Sequence, residues 1–103
     1  MKAPVYGFSN VSVTKASGDY GGDILAIKDQ IKYVIQCKRY ESAIGVHAVQ
    51  EVIASRSIYK THVGAVITNS YYTPQAKTLA EVNNIILWDR DDLVRMINSR
   101  LKK

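Results

Sequence analysis

Asp23-Ile24-Leu25-Ala26-Ile27-Lys28-Asp29-Gln30-Ile31-Lys32-Tyr33-Val34-Ile35-Gln36-Cys37-Lys38-Arg39-Tyr40 decides the fold of this 103-residue chain. Two short apolar-alternating runs, 24–28 and 33–40, flank the tetrad Asp29-Gln30-Ile31-Lys32 and read as a β-hairpin. Side chains in a strand alternate between faces, so Val34, Gln36, Lys38 and Tyr40 share one face and Tyr33, Ile35, Cys37 and Arg39 the other. Asp23 opens the first run directly after Gly21-Gly22, a pair that lets the backbone bend sharply. An acid, an amide and an amine thereby converge on adjacent strands. Spacing leaves two readings open. The triplet is either solvated strand polarity or a metal-dependent phosphodiester site, in which a carboxylate and a second oxygen hold a hard cation and a fixed lysine orients the nucleophile.

Upstream of the hairpin, residues 1–9 read as an irregular lead-in and 10–103 as a single domain. Asn10-Val11-Ser12-Val13-Thr14-Lys15 alternates with β-branched residues, predicting a strand with Val11 and Val13 inward. The Gly-, Ser- and Asp-rich turn over 16–22 leads into Asp23. Asp19 and Tyr20 are therefore expected beside any ion held there or against a phosphate, with Asp19 serving only the turn as the alternative.

Downstream, Val46 to about Tyr59 has helical apolar spacing. Gln50 and Glu51 are neighbours on that helix and cannot share a face equally; Glu51 is its only acid. Thr61 to Ser70 is the most apolar strand and is expected to be central and parallel to the strand before the helix. Thr73-Pro74 opens a second helix as N-cap and first-turn proline, and Asn83-Asn84 closes it. Asn69 and Ser70 precede that helix N-terminus and make a candidate phosphate-binding edge. A last strand is expected over 85–89. Asp89-Arg90-Asp91-Asp92 then reads as a helix cap with acids in the first turn, rather than a metal cluster.

Composition bounds the partners. The formal charge of +5 and a pI near 9.4 fit a nucleic-acid partner without requiring one. Cys37 is a single cysteine, so an internal disulfide is excluded and a reduced, packed thiol is expected. His47 and His62 lack ligand companions at a familiar spacing and read as surface or packing residues. No apolar run is long enough for a membrane span and no signal-peptide pattern is present, so a cytoplasmic protein is expected.

Gly18 to Asp23, Val34 to Tyr40, Val46-His47-Ala48-Val49-Gln50-Glu51 and Val66-Ile67-Thr68-Asn69-Ser70 resemble, in that order, the Mrr-type restriction endonuclease domain. This is a branch of the PD-(D/E)XK nuclease superfamily in which the usual Glu-x-Lys is written Gln-x-Lys. The likeness runs from about Val11 to Leu93. It implies an α/β fold with a mixed central sheet of about five strands flanked by helices, double-stranded DNA as substrate, and Mg²⁺ or Mn²⁺ as cofactor. By position it makes Asp23 the metal-binding aspartate, Gln36 the second ligand and Lys38 the catalytic lysine. The backbone carbonyl of Cys37 is expected as a further ligand, and the resemblance makes Gln50 the helix residue near the site. In one respect the chain departs from the pattern: members usually begin with a helix that packs on the sheet and supplies an acid, whereas Met1 to Ser9 contain no Asp or Glu and carry Pro4 and Gly7. Truncation, an acid from a partner chain or from Glu51, and loss of cleavage with DNA binding retained all remain open. A sheet face left bare by a missing helix also leads us to expect a homodimer.

Overall fold

The computed structural model describes residues 8–14 and 23–101. Their order is β1 (Ser9–Val13), β2 (Ile24–Lys28), β3 (Ile31–Lys38), α1 (Val46–Ile58), β4 (Val63–Thr68), α2 (Pro74–Val82), β5 (Ile85–Trp88) and α3 (Arg90–Leu101). The strands form one sheet in sequence order, β1-β2-β3-β4-β5. β2 runs antiparallel to both its neighbours, β1 and β3, while β3, β4 and β5 are parallel. A two-residue turn joins β2 to β3, whereas a parallel neighbour needs a crossover, which α1 and α2 supply. The mixed α/β sheet expected from the sequence is the one observed.

Asp29 and Gln30 have φ of 53° and 68°, so the hairpin closes in two residues with both in the left-handed region. That geometry matches the right-handed twist of the flanking strands. Ile31 and Lys32, grouped with the turn in the sequence reading, therefore belong to β3, where Lys28 pairs with Ile31 and Ile27 with Lys32.

Below the sheet, α1 and α2 cover one face. Val34, Ile44, Val49, Val52, Val66, Tyr72, Ala76 and Ile85 form the core there. Val49 and Val52 are fully buried, each contributing about 1.5–3 kcal/mol against exposure. Gly64 brings α1 close: a Cβ there would stand 3.3 Å from Val52 Cγ2 and 3.1 Å from Ile85 Cδ1. The Tyr72 hydroxyl lies 3.0 Å from the Val66 carbonyl and 2.9 Å from that of Trp88, and donates its proton between them. Burial pushes its pKa well above the ordinary phenol range.

On the opposite face α3 leaves a groove of about 540 Å³, lined by Phe8, Ile24, Tyr33, Ile35, Trp88 and Met96 among others. Val11 and Val13 are 52% and 67% exposed, not inward as their alternation predicted. β1 is an edge strand with a register irregularity between Ser9 and Ser12, and Val13 pairs with Ile24 of the groove face, beyond the cover of α3. β4 is interior, flanked by β3 and β5, although β3 is the middle strand.

The helix caps follow the sequence. Thr73 Oγ1 accepts from the Ala76 amide, with Pro74 at the first turn. Asp89 and Asp92 exchange reciprocal hydrogen bonds with each other's backbone N–H at 3.0 Å, which gives both acids a capping role.

Replacing Gln30 by Gly removes a side chain from a left-handed position and is expected to stabilise the fold by roughly 0.5–1 kcal/mol. A thermal midpoint raised by about 4 °C would record this; a lowered midpoint would contradict the turn geometry.

Candidate active site

Antiparallel pairing of Ile24 with Ile35 sets Asp23 beside Gln36. Asp23 is held from its other side by Thr14, whose amide donates to the Asp23 carbonyl at 2.8 Å and whose hydroxyl accepts from the Asp23 amide at 2.7 Å. Its carboxylate therefore has a fixed root at the start of β2. Gln36 Nε2 donates to Asp23 Oδ1 at 3.0 Å and to Ser55 Oγ of α1 at 3.4 Å. Two residues along β3 on the same face, Lys38 Nζ meets Glu51 Oε1 of α1 at 2.6 Å. The Lys38 side chain is only 14% exposed, against 54% for Glu51.

The Asp23–Gln36–Lys38 triplet thus assembles on the face that α1 covers, at the end of the sheet where β3 and β4 finish. Cys37 lies between the two functional side chains in sequence but turns to the opposite face, into the groove with Ile35, Ile67 and Trp88. Solvent reaches it, yet its apolar neighbours desolvate the thiol and raise its pKa. Reactivity as a thiolate is correspondingly disfavoured.

Gln50 is exposed on α1, about 100° around the helix from Glu51, and it is Glu51 that reaches Lys38. Asn69 and Ser70 sit just beyond the Lys38–Thr68 pair and fasten the loop that follows Lys38. Asn69 Oδ1 accepts from the Tyr40 amide at 3.1 Å, and Ser70 Oγ donates to the Ser42 carbonyl at 2.8 Å. Asp19 and Tyr20 lie outside the described residues. His47 and His62 are exposed, and His62 Nδ1 accepts from the Lys32 amide far along β3 from the triplet. No sequence motif marks Ser55 or Thr14. Ser55 stands four residues after Glu51, on the same helix face, which is the one signal that points to it.

The donor set bears on whether a divalent ion fits. Among the described residues no three His, Cys, Asp or Glu side chains converge, so a site made only of such groups is not present there. The observed pair is one carboxylate and one amide. Gln36 Oε1 is buried and has no hydrogen-bond partner, while the amide nitrogen stands 3.0 Å from Asp23 Oδ1. Oxygen and nitrogen of a carboxamide exchange places by a half-turn about its last bond. Neighbouring ligands of an octahedral Mg²⁺, at bond lengths of about 2.1 Å, are separated by about 3.0 Å. The pair therefore fits a hard cation that keeps most of its water.

A family model described as restriction endonuclease, the Mrr catalytic domain, matches residues 5–97. The chain belongs to the Mrr-type restriction endonuclease family. The Mrr-type match spans Asp23, just ahead of β2, and Gln36 and Lys38 on β3. Three solved structures share the fold. AspBHI, a DNA modification-dependent restriction endonuclease, is 24% identical with a TM-score of 0.68 over 87% of this chain and 26% of its own. EndoMS in its apo form is 22% identical with a TM-score of 0.65, covering 81% of this chain and 38% of its own. A protein of unknown function is 20% identical with a TM-score of 0.65, covering 82% and 50%. The chain thus spans between about a quarter and a half of the length of those proteins. No curated protein matches it.

Proposed function

We propose that this Mrr-type domain is a metal-dependent DNA endonuclease that hydrolyses phosphodiester bonds at the Asp23–Gln36–Lys38 site. The observation that carries the reading is the 3.0 Å contact between Gln36 and Asp23 with the shielded Lys38 ammonium two residues along the same strand face. Asp23, the Gln36 amide oxygen and the backbone carbonyl of Cys37 would hold Mg²⁺ or Mn²⁺. Such an ion, when bound, supplies polarisation of the phosphoryl oxygen and a lowered pKa for water. Lys38 orients the attacking water and offsets the negative charge that builds on the phosphoryl oxygens. Asp23 accepts hydrogen bonds and attracts the cation, and its anchoring by Thr14 keeps that geometry preorganised.

An amide at position 36 carries no charge, so ion affinity is lower than at a site of two carboxylates, and millimolar ion is expected to be needed. The net charge of +5 favours association with duplex DNA. Gln50, Asn69 and Ser70 complete the proposed DNA-facing rim, the last two through the loop they fasten, and Asp19 and Tyr20, outside the described residues, are proposed as further DNA contacts. The reduced Cys37 suits a cytoplasmic setting.

A second reading rests on the lone carboxylate of the pair: a nuclease-derived DNA-binding or assembly module that no longer cleaves. Plasmid nicking separates the two. Wild-type protein is expected to nick supercoiled plasmid with Mg²⁺ or Mn²⁺ and not with EDTA, and Lys38→Met is expected to lose at least about 100-fold of that activity while keeping its thermal midpoint. Retardation of DNA at low salt without nicking under either ion would favour the binding module; full activity in Lys38→Met would sink the assignment of the lysine.

We also propose a homodimer, supported by the apolar groove and by Val13, Val94 and Ile97, which are 44–67% exposed. Two copies would offer one site to each DNA strand. Sedimentation at micromolar concentration is expected to give twice the 11.5 kDa chain mass; a strictly monomeric mass would refute it.

A further inference from the structure

We infer that Glu51 is a positioning residue that fixes the Lys38 ammonium for the reaction, and not a ligand of the ion. This rests on the nuclease reading above and assigns the role of a residue outside its triplet. The 2.6 Å contact is short even for a charge-assisted hydrogen bond, and it restrains a side chain that otherwise has four rotatable carbons of freedom. An ion pair with one partner 54% exposed adds little to stability. Its consequence is therefore orientation.

The contact does not stand alone. Glu51 and Ser55 lie one turn apart on α1, about 6 Å along the helix, and Gln36 and Lys38 lie about 6.7 Å apart along β3. The two spacings nearly coincide. As a result Ser55 meets Gln36 while Glu51 meets Lys38, with the helix running against the strand direction as a crossover requires. Gly64 holds the register of this match, since Val52, next to Glu51, packs against its bare Cα. One helix face thus addresses both functional side chains of the strand. Glu51 is already committed to the ammonium. Only Oε1 is engaged by the ammonium, and a ligand role through Oε2 would set the Lys38 charge beside the cation's own.

The test compares Glu51→Gln, Glu51→Asp and Asp23→Asn with wild type in three readouts: Mn²⁺ binding by calorimetry without DNA, kcat and KM for plasmid nicking, and the thermal midpoint. For Glu51→Gln the expected result is a kcat lowered roughly 10- to 100-fold with KM, Mn²⁺ affinity and midpoint nearly unchanged. Glu51→Asp is expected to regain part of kcat, because it keeps the charge. Asp23→Asn is expected to lose Mn²⁺ binding. If Glu51→Gln weakens Mn²⁺ as much as Asp23→Asn does, Glu51 is a ligand and the inference is overturned. If kcat is unchanged, the pair is only a surface ion pair and the inference is again overturned. Wild-type protein that neither binds Mn²⁺ nor nicks DNA overturns the nuclease reading itself, and this inference with it.

Discussion

The register of the β2–β3 hairpin is the constraint on which the rest depends. Ile24 opposite Ile35 puts Asp23 within hydrogen-bond reach of Gln36, and the two-residue turn at Asp29–Gln30 leaves no slack to shift it. A slip of one residue would carry Gln36 and Lys38 to the opposite face, into the apolar groove, and would drive Tyr33 and Ile35 under α1. Both faces oppose such a slip, since buried Val34 fits only the side covered by α1. Fold and site are therefore specified by the same alternation.

The parallel half of the sheet completes what the hairpin begins. β4 aligns Thr68 with Lys38, so the loop after Lys38 can be fastened by Asn69 and Ser70 and joined to the sheet through the Ile44–Tyr72 bridge. Gly64 lets α1 lie close enough for Ser55 and Glu51 to reach β3. The proposed catalytic groups of this chain stand at the start of β2, on β3 and on α1, which suits a reaction governed by positioning and electrostatics.

Much of this was legible in the sequence because it rests on local rules. Period-2 alternation gave the faces of β3, Thr73-Pro74 gave the start of α2, and Asp89 with Asp92 read correctly as a cap. What local rules could not supply depends on tertiary placement. Val11 and Val13 have the composition of inward residues, yet edge position and limited cover decide their exposure. Asp29-Gln30 lacks the glycine that usually marks a two-residue turn, so the alternation alone places the start of β3 at Tyr33, two residues after its actual start at Ile31. Ser55 and Thr14 become part of the site only through contacts across 19 and 9 residues, which no short motif encodes. Likewise the choice between Gln50 and Glu51 is one of helix rotation, fixed by how Val49 and Val52 bury themselves.

Mn²⁺ titration of the isotopically labelled full chain, followed by paramagnetic broadening of its backbone amide signals, tests the central claim most directly. The account predicts that Asp23, Gln36 and Lys38 broaden first and that Trp88 and Met96, on the opposite face, persist to higher ion concentration. Broadening centred on the groove or on the Asp89–Asp92 cap, or none at millimolar ion, would contradict a metal site at the hairpin.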